Sequence, residues 1–286
     1  MIKLAEWVIK SRINAVISVA AFSVIPFLFV LAGASQAFVV LRKGIAEGIP
    51  VLAWGGLAAL MLLYFQGDAT AFLMLVQATL FSYVLRTTVS WGALLLTAAL
   101  FAVLSVFILP LLMSDVLYFL VDMVQQVFAE QEMKDIGDEA LFRELVVASS
   151  IVQMCVAIFA VFLARNWQSS LYNPGGLRKE FLQLKLSIPI ALVFGGMILL
   201  GESLGDDFYF LAQIVVPIII IAGLALIHGM CAKVKNGKVG LIAFYIIGLS
   251  ILSFYIINIL IILVIIDSFV DIRGRLPSAE SGSNKS

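Results

Sequence analysis

"INAVISVAAFSVIPFLFVLAGASQAFVVL", residues 13–41, followed at once by Arg42 and Lys43, decides how this chain is threaded. The stretch is 29 residues long and uncharged. A bilayer core about 30 Å thick is crossed by roughly 20 apolar helical residues, so one tilted crossing fits. Pro26 lies near its middle, however, and proline breaks a helix by removing a donor and clashing with the preceding turn. The alternative is a hairpin around Pro26 that makes two short crossings. Cytoplasmic loops collect Lys and Arg, so the 18 basic residues arbitrate. One crossing puts 8 of them inside and 10 outside; the hairpin puts 13 inside and 5 outside. The charge split favours the hairpin, with the N-terminus in the cytoplasm.

The rest of the chain has the same character. Of 286 residues, 63% are hydrophobic and 13% charged, where soluble domains carry about a quarter charged. Eighteen basic and eighteen acidic residues cancel, so no cationic surface points to nucleic acid. Further apolar runs occupy 49–65, 70–85, 90–112, 145–164, 187–200, 208–230 and 239–266. Backbone groups in hydrocarbon must pair within their own segment, which makes these helices. The expectation is an all-α polytopic membrane helix bundle of about nine transmembrane helices, eight to ten being compatible. The chain reads as a single integral membrane domain over 1–286. It comprises a cytoplasmic N-terminus (1–12), a first membrane group (13–112), an acidic extracytoplasmic helix and loop (113–144), a second membrane group (145–266) and a polar tail (267–286). The 28-residue run 239–266 is long enough for a second turn, which would return the C-terminus to the inside.

Two polar stretches flank the middle of the chain. Asn173-Pro174-Gly175-Gly176 suits a type II turn, with proline at the second position and glycine free to take positive φ at the third. After it, Leu177, Phe181 and Leu184 form one apolar helical stripe over 177–186, with Arg178, Lys179 and Lys185 off it. Such a segment anchors at the headgroup boundary, held by apolar burial and by attraction to anionic lipid. A docking surface for a cytoplasmic or membrane protein is the alternative. Residues 114–144 are acidic, with Asp115, Asp122, Glu130, Glu132, Asp135, Asp138, Glu139 and Glu144 against Lys134 and Arg143. Leu117, Leu120, Val121, Val124 and Phe128 give that stretch an amphipathic helix, and acidic runs are usually solvated faces rather than metal sites.

Catalytic patterns are missing. The one histidine, His228, supports neither a zinc helix nor a nucleophilic triad, and no phosphate loop occurs. No enzyme activity, metal or cofactor is expected. Polarity inside apolar runs is costly, and is therefore the default place to look for function. Gln77, Gln153, Gln213 and Asn258 sit within such runs, and Arg86 ends one of them. Near the C-terminus, Asp271 and Arg275 are spaced i, i+4 and can pair across one helical turn.

The basic N-terminus, "LRKG" at 41–44, "YNPGG" at 172–176 and "DSFVDIRGR" at 267–275 together resemble the YybS-like family of uncharacterised bacterial inner-membrane proteins, over essentially the whole chain. That resemblance implies a bacterial inner-membrane location and no defined activity. More distantly, the first six crossings resemble the substrate-binding subunits of energy-coupling-factor transporters, whose opening helices carry an Ala-x-x-x-Ala docking motif. Here the nearest small pair is Gly33 and Ala37. Two functions follow as expectations. One is a small-solute binding or transport protein, with Gln77, Gln153, Gln213, Asn258 and Arg86 around a polar mid-membrane site. The other is a non-transporting scaffold that binds membrane lipids and protein partners through its basic segment. A shared polar cavity would favour the first, and a solid interior the second.

Overall fold

The structure, a computed structural model, describes residues 1–131, 137–250 and 255–276. Every regular element among them is a helix, as apolar segments that must satisfy their own backbone require. The chain divides into two compact units, Met1–Val89 with Ala93–Pro174, and Ser90–Gly92 with Gly175–Ser286. Among the described residues, four helices are long and apolar enough to cross a membrane: Thr70–Thr88, Trp91–Glu130, Asp138–Tyr172 and Phe208–Cys231. A bent pair, Ile45–Gly55 with Leu57–Gln66, would make a fifth. Large apolar side chains point outward, among them Leu111 at 83% exposure. Apolar surface of that kind calls for an apolar solvent.

The first unit contains α1 (Ile2–Lys10), α2 (Arg12–Ser23), α3 (Phe29–Lys43), α4 (Ile45–Gly55), α5 (Leu57–Gln66), α6 (Thr70–Thr88), most of α7 (Trp91–Glu130) and α8 (Asp138–Tyr172). Ser11 caps α2 by accepting the Asn14 N–H at 3.1 Å. Residues 24–28 break the helix around Pro26, and α3 packs back along α2 through Ser18 Oγ and Ser35 Oγ, 2.8 Å apart. At Gly33 a Cβ would meet Met74 Cε at 2.7 Å and Ala160 Cβ at 3.4 Å, so glycine brings α3 close to α6 and α8. The run expected as one helix over 49–65 is bent by 40° between α4 and α5, at Gly55-Gly56. Helix α7 has 40 residues, about 60 Å at 1.5 Å per residue, and kinks at Met113 (φ −145°, ψ 40°) three residues after Pro110. The amphipathic part expected after Ser114 is the continuation of α7 beyond this kink. Its Leu117 and Val121 are buried. Glu132, Lys134 and Asp135 of the acidic loop lie outside the described residues.

The second unit contains α9 (Gly176–Leu182), α10 (Ile188–Leu200), a 3-10 turn (Gly201–Ser203), α11 (Asp206–Cys231), α12 (Gly237–Ser250), α13 (Ile256–Val270) and α14 (Ile272–Arg275). Glycines again set the spacing. A Cβ at Gly223 would meet Leu260 Cδ2 at 2.7 Å, and one at Gly195 would meet Ile265 Cδ1 at 2.7 Å, which packs α11 and α10 against α13. Of the two readings open for 239–266, one long helix or a run with a second turn, the described residues hold two helices, α12 and α13. Helix α12 begins one short turn after α11 ends, while the exit of α13 places Arg273 against Gly229 near the end of α11. Both outer ends of the segment therefore lie near one end of α11. Residues 251–254 between them, the terminal residues 277–286 and the side chain of Glu202 lie outside the described part.

The helical stripe expected over 177–186 is also corrected. Helix α9 stops at Leu182, and the chain is extended at Ser187 (ψ 155°), the N-cap of α10, a position that normally has non-helical backbone. Leu177 and Leu184 are buried within the unit rather than displayed on one exposed stripe. The glycine turn before α9 is as expected, with Gly175 at φ 84°, ψ −9°, the third position of a type II turn.

Candidate functional site

Cationic side chains gather at one end of the first unit. Arg12 forks onto Glu47 at 2.8 and 3.2 Å, Arg42 stacks on Tyr172 with its Cζ 4.0 Å from the ring centroid, and Arg86 donates from Nη1 to the Leu41 carbonyl. Gln168 Nε2 donates to the same carbonyl at 3.3 Å. Arg86 therefore satisfies a free carbonyl at the C-terminus of α3, where a cation is favoured. It lies sixteen residues along α6 from Thr70, roughly 24 Å at 1.5 Å per residue.

Neutral polarity lies deeper. Gln77 on α6 and Gln153 on α8 are 1% and 8% exposed, and Gln77 Nε2 donates to Gln153 Oε1 at 3.0 Å. Gln77 is nine residues from Arg86, about 14 Å along the axis, which is half the thickness of a bilayer core. A third amide shares this interior. Gln36 Nε2 donates to the Gly48 carbonyl at 2.9 Å and to Thr79 Oγ1 at 3.0 Å. Sequence reasoning missed Gln36, although it satisfies the same criterion as the others: an amide within an apolar run. Among the described residues, the Oε1 atoms of Gln36 and Gln77 and the indole Nε1 of Trp167 are buried without a hydrogen-bond partner.

Gln153 also lines a cavity of about 310 Å³, walled by α3, α6, α7 and α8. The lining is apolar, with Phe29, Met74, Leu109 and Met113 prominent, and its polar groups are Gln153, Thr70 and Ser149. Met113, the residue at the α7 kink, stands at the wall of this space. Pockets of this kind, a few hundred Å³ with few polar groups, suit small ligands. Gln153, whose Oε1 accepts from Gln77, is thus one of three polar residues in an otherwise apolar lining. No charged side chain is among the lining residues.

The other expected site residues lie elsewhere. Gln213 is half-buried on α11 and Asn258 is exposed on α13, both in the second unit. Of the five residues expected to share a site, the structure joins Gln77 and Gln153. In the basic segment, Arg178 and Lys179 are exposed, Phe181 is half-buried beside His228 with ring centroids 6.1 Å apart, and Lys185 Nζ lies 3.8 Å from Asp271 Oδ1. Asp271 is thus turned toward Lys185, and the buried ion pair of this region is a different one. Arg273 Nη2 donates to Asp267 Oδ2 at 2.8 Å, with both residues buried. Neither was singled out in the sequence. Asp267 closes an apolar run and sits six residues from Arg273, off the i, i+4 spacing that flags helical pairs.

Compared with known proteins, the chain gives no significant match to any family model, curated protein or solved structure.

Proposed function

We propose that this protein is a multi-pass membrane protein that binds a small, neutral, largely apolar solute in the cavity of its first unit. One observation carries the proposal: Gln153, held by Gln77, lines a cavity whose wall is apolar apart from it, Thr70 and Ser149. A polar group left unpaired in an apolar site costs about 1–3 kcal/mol. A solute with one hydroxyl or carbonyl group therefore needs a polar partner there, and Gln153, Thr70 and Ser149 are the lining residues that offer one. Gln77 fixes the Gln153 side chain, and the cavity wall supplies apolar burial at about 25 cal/mol per Å².

Membrane threading follows the charge pattern. The basic ends are cytoplasmic, the N-terminus among them, and the segments 13–41 and 239–266 each enter and return as a hairpin. This threading makes ten entries of the chain into the membrane and puts Arg273 and Arg275 inside. Lys134 and Arg143 are then the only basic residues left on the far side. The arms of both hairpins have 12 to 15 residues, about 18–22 Å of helix, shorter than a straight crossing. They are supported by packing on their neighbours.

The test is thermal stability of the purified protein against neutral metabolites that carry one hydroxyl or carbonyl group. A compound that raises the midpoint of the wild type, and no longer does so with Gln153→Leu, supports the reading. No response across the panel, or an equal response in the variant, turns the assignment toward the scaffold.

A further inference from the structure

The buried Asp267–Arg273 pair has a neighbour that ion pairing alone does not explain. Arg273 lines a cavity of about 500 Å³ in the second unit, together with Lys179, Lys185, Lys233 and Asp271. We propose that this cavity binds a phosphate group. The proposal is independent of the solute site in the first unit.

Charge is the first reason. Four cationic side chains face one carboxylate, and Asp267 behind Arg273 cancels one more, which leaves an excess of two positive charges. A phosphate monoester carries about −1.5 to −2 at pH 7. The carbonyl ends of α9, α11 and α13 meet here and favour cations, which accounts for the gathering. Arg273 Nη1 donates to the Leu182 carbonyl at 2.9 Å, and Lys233 Nζ donates to the Arg273 carbonyl. Lys185 and Asp271 are too far apart at 3.8 Å for a hydrogen bond, so that ammonium can turn to a ligand.

Construction is the second reason. Guanidinium groups have five N–H donors in a rigid fork that matches phosphate oxygens. Two of them are fixed, one by Asp267 and one by Leu182, which sets the plane of the group without exhausting it. Asp267 Oδ1 in turn accepts the Ile272 N–H at 2.9 Å. Asp271 adopts the left-handed region (φ 50°, ψ 65°), and this turns the chain back over α11. At Gly229 a Cβ would meet both Arg273 Cδ and the Leu182 oxygen at 2.7 Å, so the absence of a side chain there is what lets these groups converge. Three segments far apart in sequence thus hold one arginine at the wall of a basic cavity.

Basic pockets between helices at the cytoplasmic boundary bind anionic headgroups, and a phosphorylated solute offers the same chemistry. The experiment separates the two sources. Full-length protein in detergent is titrated with inorganic phosphate and with glycerol phosphate. In parallel, protein in phosphatidylcholine nanodiscs is compared with protein in nanodiscs that also contain phosphatidylglycerol. The readouts are the thermal midpoint and the apparent dissociation constant. A response to phosphatidylglycerol alone assigns a lipid headgroup, and a response to the free phosphates assigns a soluble ligand. With about fivefold per lysine, Lys179→Gln weakens the response about fivefold and the double variant Lys179→Gln/Lys185→Gln about 25-fold. The lysine variants keep the unliganded midpoint, and Gln153→Leu keeps the phosphate response. If neither probe shifts the wild type, or if the double variant matches it, the site is overturned.

Discussion

Breaking the ion pair of the second unit from either side should cost more than removing it altogether. Asp267 and Arg273 are 2% and 7% exposed, and their 2.8 Å contact leaves each the principal counter-charge of the other. Asp267→Leu strands a guanidinium whose remaining partner is the Leu182 carbonyl, and Arg273→Met strands a carboxylate whose remaining partner is the Ile272 N–H. Each single change should cost about 3–5 kcal/mol. In the double variant no charge is left buried, and the loss reduces to two backbone partners at about 1 kcal/mol each. The cycle therefore returns a coupling on the order of 5 kcal/mol, far outside the few tenths that separate independent sites. Unfolding of each variant by increasing mole fraction of dodecyl sulfate in mild detergent, followed by far-ultraviolet circular dichroism, measures all four corners. Additive single and double costs would refute the claim that these two charges are buried together.

Other outcomes follow from the first unit. Ser18→Ala or Ser35→Ala alone should cost about 0.6 kcal/mol, and the double variant no more than either single, because both hydroxyls of the 2.8 Å pair are then gone; the same unfolding assay reads this. At Gly55 a Cβ would stand 2.8 Å from Val19 Cβ, so Gly55→Ala should cost about 1–3 kcal/mol by forcing α4 from α2. Arg86→Gln should lower the thermal midpoint slightly by removing the charged one of two donors to the Leu41 carbonyl, Gln168 being the other, yet leave solute affinity in the first-unit cavity unchanged, as a binding titration would show. Arg12→Gln should leave the midpoint within scatter at high salt, since its partnership with Glu47 is solvent-exposed and screened.

Hydrophobic runs made the helices legible, and proline with the charge at 42–43 located the turn at 24–28. The division of 239–266 into α12 and α13 was harder, because no proline interrupts the run and apolar length alone permits one helix. The sequence held one hint: in the expected threading, a single crossing there leaves Arg273 and Arg275 outside, apart from most other basic residues. Pairing at the C-terminus was misread for a definite reason. The i, i+4 rule that joined Asp271 to Arg275 assumes an unbroken helix, and Asp271 is the left-handed residue that ends α13. Once that turn is made, Arg273 reaches back to Asp267. Gln77 and Gln153 could each be picked from sequence, but their bond spans 76 positions and depends on how α6 packs on α8.

The two units hold different kinds of polarity, and that difference constrains what each can bind. A deeply buried ion without a counter-charge is far more costly than a buried amide, which loses only a few kcal/mol. In the first unit the interior polar groups are amides and hydroxyls, and the cavity wall carries no charge. An ionic solute there would lose its hydration and gain one amide in return. The second unit gathers its cations where helices end, keeps one arginine buried by matching it with Asp267, and leaves lysines at the rim. An anion there gains several donors while its outer face stays near water or headgroups. Exchanging the ligands of the two cavities should therefore fail in both directions: phosphate should be indifferent to Gln153→Leu, and a neutral solute should be indifferent to the loss of Lys179 and Lys185.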